Sequence, residues 1–415
     1  MTIQWNGSKS QQWIVNNYYF ILLAIYFSCI YLPFIRTGVT MGLFILFLYS
    51  HSKIVGKSDR QSSIVFVFFV YVLLSIQGYL YNGIPISAYI EDLATQSTPM
   101  IFFFIAYNKR IDKEDFYKNY IYAIVLSLII GLYFYIFPSG QYISYAERAF
   151  SSNYESQLDY VNYIIRFNSI FGSVVTGSLS VLLFVLSFYR WCIYEDDDLK
   201  YRYFWLFSSI LSFLCAFMTS QRSAMVMAVF SLAAMAFFIL RYNKRSVIPF
   251  VLITIAAIMI VLPWAMTNFG DFFAEWTERL DSVGEAVGER DNQWISVLSN
   301  SKNIILGTGL GSVGHHAIEY GKFVVPDGGL VKYIAEFGII GMAIFVLILI
   351  NAFVKGIKNM KLLYRELLVV FVVVAQSVGS NVLSFQQVLP LFWFSIGVIA
   401  SYKKPKKFVK LEINR

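Results

Sequence analysis

Apolar stretches close to twenty residues long recur through this 415-residue chain, and they constrain its fold more than any other feature. A stretch of that length matches the hydrocarbon thickness of a bilayer when wound as an α-helix. In lipid a segment must satisfy its own backbone hydrogen bonds, and a helix does so without a partner. Polar punctuation divides the sequence into about twelve such spans, at roughly 17–35, 37–51, 62–81, 95–108, 118–137, 169–193, 201–219, 223–241, 246–267, 329–354, 366–383 and 387–402. The expectation is an all-α polytopic membrane protein forming one integral membrane domain over 1–415. The second, fourth and twelfth spans are short, which leaves tilted or re-entrant segments open.

Composition agrees: 58% of residues are hydrophobic and 14% charged, too apolar for a soluble domain of this size. No cleavable signal peptide is expected. Met1 to Asn17 is polar, and the first apolar run ends at Arg36 without a small-residue cleavage site. Cys29, Cys192 and Cys215 fall in or beside apolar runs, so neither a disulfide nor cysteine chemistry is expected. The net charge of +8 does not suggest nucleic acid, because the excess sits in short loops between spans.

Those loops set the orientation. With the amino terminus cytoplasmic, 24 of the 33 basic residues fall inside and 9 outside, whereas 10 acidic residues fall inside and 15 outside. Lysine and arginine concentrate on the cytoplasmic side of membrane proteins. Both termini are therefore expected in the cytoplasm. Two outside loops are long. Residues 138–168 are rich in tyrosine, including Tyr142, Tyr145, Tyr154, Tyr160 and Tyr163. Residues 268–328 include an amphipathic stretch with Phe272, Phe273, Trp276, Leu280 and Val283 at helical spacing. A loop that long with a helix of its own is commonly functional.

Three arginines break the charge bias. Arg166 precedes the sixth span, Arg222 lies in the tight turn Thr219-Ser220-Gln221-Arg222, and Arg290 follows the amphipathic stretch in Glu289-Arg290-Asp291. Each has two readings: a snorkelling or ion-paired interfacial residue, or a fixed cation for phosphate. Arg222 has no sequence-near carboxylate, which favours the second. Gly307-Thr308-Gly309-Leu310-Gly311-Ser312 is no dinucleotide fingerprint, since no βαβ unit surrounds it. Its plain meaning is a tight turn where backbone passes close to something. His315 and His316 follow, either solvated or one of them a base or sugar donor. With no third ligand at a telling distance, no metal is expected there. Asp327 opens the tenth span as an N-cap or a base, and Lys332 and Glu336 stand at a spacing that allows an ion pair. Trp276, Trp294 and the loop tyrosines offer faces for sugar stacking.

Taken in order, the Arg166 segment, Ser220-Gln221-Arg222, Arg290 to Trp294, Gly307-x-Gly309-x-Gly311, and Asp327 with Tyr333, Glu336, Gly338 and Gly341 resemble the bacterial O-antigen polymerase and ligase superfamily. The resemblance covers roughly 160–345 together with the twelve-span layout and the late periplasmic loop. It implies a metal-independent membrane glycosyltransferase of the GT-C type in the inner membrane, needing no cofactor and acting at the periplasmic face on undecaprenyl-diphosphate-linked oligosaccharides. Ligases of the superfamily carry a histidine where Asp327 stands here, nine residues before the glutamate, which favours the polymerase branch. On that reading Arg222, Arg290, Asp327 and His316 are catalytic. Arg166, Arg222, Arg290, His315, Trp294 and Tyr333 bind the diphosphate or sugar. The partners implied are the lipid-linked donor and acceptor, membrane lipid and a chain-length regulator of the polysaccharide co-polymerase type. The alternatives are an O-antigen ligase that transfers the glycan to lipid A–core, and a lipid-linked-oligosaccharide flippase. Transporters keep ionisable residues at mid-membrane, whereas the span centres here are almost free of charge.

Overall fold

A computed structural model describes residues 9–32, 42, 69–109, 111–149, 166–193, 199–242, 294–299, 303–313 and 328–403. Within these the chain is helical, with no strand among the described residues. The helices are α1 (Lys9–Asn16), α2 (Tyr18–Cys29), α3 (Gln77–Asn82), α4 (Ile86–Tyr107), α5 (Lys113–Ile136) and α6 (Gly140–Ala149). They are followed by α7 (Ser173–Ile193), α8 (Leu199–Met218), α9 (Arg222–Tyr242), α10 (Gly329–Lys358), α11 (Met360–Gly379) and α12 (Leu389–Ser401). A short 3-10 turn, Val382–Ser384, joins the last two.

Six of these, α5 and α7 to α11, are long and apolar enough to cross a membrane, and α2 and α12 are shorter apolar helices. The expected spans at 37–51 and 246–267 lie outside the described residues, apart from Gly42. The fourth expected span begins earlier than its apolar run: α4 starts at Ile86, and its first half carries Asp92 and Gln96. Polar residues hide a helix from an apolar count when it turns them inward against other polar groups.

The bundle is organised around α7. Of its most apolar stretch 94% is buried, and it packs on α5, α8, α9 and α11. A helix apolar all round belongs in an interior. Small residues set the spacing. A Cβ at Gly177 would meet the Ala224 side chain and Thr219 Oγ1, each at 2.9 Å, so α7 and α9 can approach closely only because this position is glycine. Gly397 likewise seats α12 against Ala106 of α4. Helical serines dispose of their hydroxyls by bonding back one turn, as Ser187 Oγ does to the Leu183 carbonyl at 2.6 Å and Ser377 Oγ to that of Val373 at 2.6 Å. Cys29, Cys192 and Cys215 are buried free thiols.

The helices alternate in direction, giving the bundle two ends. One collects the starts of α5 and α11 with the ends of α7, α10 and α12, and is called the Glu114 end. The other collects the starts of α7, α9 and α10 with the ends of α8 and α11, and is called the Arg222 end.

Candidate functional site

At the Arg222 end, two of the singled-out arginines stand on neighbouring segments. Arg166 leads into residues 167–172, which are pinned on every side. The Phe167 amide donates to the Met218 carbonyl at the end of α8 (3.0 Å). Ser169, held at φ 48°, donates through Oγ to the Ser127 carbonyl of α5 at 2.7 Å. Tyr142 and Tyr145 of α6 donate their phenols to the carbonyls of Ser169 and Ile170, each at 2.6 Å. Two tyrosines of the first long loop thus hold the Arg166 segment in place. Tyr154, Tyr160 and Tyr163 lie outside the described residues.

Immediately after Met218 the chain turns through Thr219, Ser220 and Gln221, with Ser220 at φ 52°. Thr219 Oγ1 donates to the Ala216 carbonyl at 2.7 Å, closing the end of α8. The Gln221 side chain donates to Ser173 Oγ at the start of α7 (3.1 Å), and the Gln221 backbone carbonyl accepts from the Met225 amide as α9 begins. Arg222 is the first residue of α9. A cation at a helix amino terminus opposes the helix dipole, whereas an anion is favoured there. Ser223, the next residue, pairs with Ser380 Oγ at 2.9 Å. The Ser380 carbonyl accepts from Gly329, the first residue of α10 (3.1 Å), and the Trp294 indole lies against Gly328. A continuous set of contacts therefore links the Arg166 segment, the Arg222 turn, the end of α11, the start of α10 and Trp294. Trp294 also packs with Val297, Val313 and Ala335. Arg290, His315, His316 and Asp327 lie outside the described residues, as does Trp276.

The glycine-rich segment docks on a break in α10. Gly338 sits at φ 69°, ψ −175°, and breaks the helix. A break leaves carbonyls before it and amides after it without helical partners, which is costly away from water. Residues 303–313 supply them. Thr308 and Gly309 amides donate to the carbonyls of Ala335 (2.8 Å) and Glu336 (2.9 Å), while Ile339 and Ile340 amides donate to the carbonyls of Ile304 (3.0 Å) and Ile305 (3.2 Å). The Leu310 amide continues to the Ser75 carbonyl at 3.0 Å. Backbone does pass close to something here. A Cβ at Gly309 would overlap the Gly78 backbone and one at Gly307 the Glu336 carbonyl, and both glycines have positive φ.

A buried polar cluster lies beside this break. Lys332 and Glu336 form the ion pair their spacing allows, at 3.7 Å, and Lys332 also donates to Ser384 Oγ at 3.1 Å. Glu336 Oε1 accepts the Gly311 amide at 3.2 Å, and the Gln96 side chain hydrogen-bonds the same carboxylate. Asp92 of α4 faces it across Gly311. Glu336 is 1% exposed and Asp92 7%, so both carboxylates are buried within the bundle. Asp92 carried no mark of its neighbours in the sequence, because they come from α10 and the segment docked on it. The one local signal was the i, i+4 spacing of Asp92 and Gln96. Tyr333 belongs to a different surface. Its ring lies between Phe337 (4.7 Å) and Phe345 (4.9 Å) and lines an apolar groove.

The Glu114 end holds a second charged cluster. Arg365 donates to both oxygens of Glu114 (2.9 and 2.8 Å) and to Glu366 Oε1 (2.9 Å). Arg190 reaches Glu114 at 3.4 Å, and Lys113 lies 3.7 Å from Glu366. The two guanidiniums also cover aromatic faces, Arg365 over Tyr117 at 4.0 Å and Arg190 over Trp205 at 4.7 Å.

No group of three or more metal-ligating side chains occurs among the described residues. No family profile matches the sequence, and neither a curated protein nor a solved structure does.

Proposed function

We propose that the chain is an O-antigen polymerase: a GT-C-type membrane glycosyltransferase that joins undecaprenyl-diphosphate-linked oligosaccharide repeat units at the periplasmic face of the bacterial inner membrane. The observation that carries this reading is the adjacency of the Arg166 and Arg222 segments at one end of an apolar bundle, with the start of α10 and Trp294 against them.

In the proposed reaction a hydroxyl of the acceptor repeat attacks the anomeric carbon of the donor glycan. The new glycosidic bond forms as the carbon–oxygen bond to the diphosphate breaks, and the hydroxyl proton passes to a base. Undecaprenyl diphosphate leaves with the bonding electron pair. Negative charge grows on its bridging oxygen, and fixed guanidiniums stabilise that charge most in the transition state. Arg166 and Arg222 serve in that role, joined by Arg290. Asp327 and His316 are the candidate bases, with His315 and Trp294 contacting sugar. The hydrogen-bonded framework of Ser173, Gln221, Ser223 and Ser380 suits the task, since it holds the arginine segments in place through neutral groups.

The test is purified protein in vesicles with a synthetic diphosphate-linked repeat unit. Polymer ladders are expected from the wild type and none from Arg222→Ala. Normal ladders from that variant would remove the basis of the reading.

A second reading, a lipid-linked-oligosaccharide transporter, draws on the broken α10 and the buried Lys332, Glu336 and Asp92 beside it. Discontinuous helices with ionisable residues are the usual substrate sites of transporters. Movement of a fluorescent lipid-linked glycan across vesicles without polymer formation would select it.

A further inference from the structure

An apolar groove with a cavity volume of about 380 Å³ runs between α4, α10 and α12. Met100, Phe103, Ile344, Ile348 and Ile396 form much of its wall. Its interior holds at least about a dozen methylene groups, if each takes roughly the 30 Å³ of a water molecule. Small residues keep it open: Gly341, Ala352 and Ala400 all line it. From Gly341 to Lys355 the helix climbs about 21 Å at 1.5 Å per residue, deeper than the ~15 Å of one leaflet's hydrocarbon.

The two ends of the groove differ. Towards the Arg222 end it is closed by the rings of Tyr71, Tyr333 and Phe337 and carries no charge in its lining. At the Glu114 end it is bordered by Lys355, with Asn351 and Tyr107 beside it. The Lys355 ammonium donates to the Ala400 carbonyl at 2.5 Å, which uses one of its three protons. Lys403 is near enough to act on it electrostatically. Among the described residues neither lysine has a carboxylate within ion-pair distance. An ammonium group at the mouth of a hydrocarbon-lined groove, with a second close enough to act on it, complements a molecule with an anionic head and an apolar chain.

We propose that this groove binds an anionic glycerophospholipid, with one acyl chain between α4, α10 and α12 and its phosphate at Lys355 and Lys403. Basic pockets between membrane helices recognise anionic headgroups in this way. The site is separate from the glycosyl-transfer reading and stands or falls without it.

The test is native mass spectrometry of the full chain in detergent, titrated with phosphatidylglycerol or with phosphatidylcholine of the same acyl chains. Wild type is expected to retain one phosphatidylglycerol, preferred by about fivefold for each engaged lysine. Lys355→Gln lowers that preference by about fivefold, whereas Lys355→Arg, which keeps the charge and the bond to Ala400, retains it. Ile344→Trp fills the groove without touching the charge and lowers binding of both lipids. Equal retention of the two lipids by wild type, or an undiminished preference in a folded Lys355→Gln protein, overturns the proposal. So does displacement of phosphatidylglycerol by equimolar undecaprenyl phosphate, which would assign the groove to the lipid carrier.

Discussion

Two buried charge clusters among the described residues are built differently. At the Glu114 end, Arg365 engages both oxygens of one carboxylate and one of a second within 2.9 Å, and aromatic faces cover the guanidinium. At the break in α10, Lys332 and Glu336 stand 3.7 Å apart, and the carboxylate is completed by a backbone amide and an amide side chain. The first cluster joins α5, α7 and α11 through the planar fork of arginine, which fixes direction as well as distance. The second is a point charge against a carboxylate whose other partners belong to a docked segment. A buried pair held on several sides locks helices together. One that depends on an inserted segment ties its geometry to whether that segment stays inserted.

The sharpest way to break this comparison is Arg365→Ala. It strands Glu114 and Glu366 without their shared partner, and removal of one member of a buried pair costs about 3–5 kcal/mol. Thermal unfolding in detergent should show a large loss, with Glu114→Ala similar. An unchanged melting temperature would mean that the network contributes nothing to cohesion. Arg222→Ala should behave in the opposite manner. Its main expected cost falls on the proposed reaction, about 10²–10³ in rate, with unfolding shifted far less than by Arg365→Ala. A variant that both unfolds and loses activity would make Arg222 a structural residue like Arg365.

Gly309→Ala addresses the inserted segment. The new Cβ overlaps the Gly78 backbone at a position with φ 85°, so the segment must shift or leave. Overpacking typically costs about 1–3 kcal/mol. Protease sensitivity within 303–313 should rise while the Glu114 end stays intact. If Gly309→Ala melts the whole bundle as Arg365→Ala is expected to, the two clusters are one cooperative unit and the contrast drawn above fails.

What the sequence reveals follows the same division between local and distant. Apolar runs announce α5, α7, α8, α9, α10 and α11 because a helix in lipid needs nothing beyond itself. The Lys332–Glu336 pair is visible because its partners are one turn apart. The glycine motif declares a close approach, but not that Gly338 is what it approaches. The hidden features all join distant residues. Arg365 and Glu114 are separated by 251 positions, and a basic residue counted towards the orientation bias carries no mark of being paired. The start of α4, with Asp92, fell outside the expected span at 95–108, although the polarity of Asp92 and Gln96 is spent on a neighbour from α10 and the segment docked on it. Of the residues nominated for function, Arg166 and Arg222 stood out by sign alone. The contact between their segments runs through Met218 and Ser173, which no pattern singles out.

The smallest effect expected concerns the framework under Arg166. Tyr142→Phe removes one phenol that donates to the Ser169 carbonyl while leaving its ring stacked on Phe134, whose centroid is 4.6 Å away. One hydrogen bond is worth about 1 kcal/mol, and the abandoned carbonyl adds a similar desolvation penalty if water does not replace the phenol. Unfolding should therefore shift slightly. Ser169 is held at positive φ and its side chain is bonded to α5, so the Arg166 segment has a second anchor. Loss of one tether should loosen Arg166 more than it destabilises the bundle, and in the proposed reaction the rate should fall while stability barely moves. The double variant Tyr142→Phe with Tyr145→Phe removes both phenol tethers and sharpens the distinction. If its rate loss exceeds the sum of the two singles, the tyrosines act together to position Arg166. A rate equal to wild type would show that the Ser169 anchor to α5 is enough.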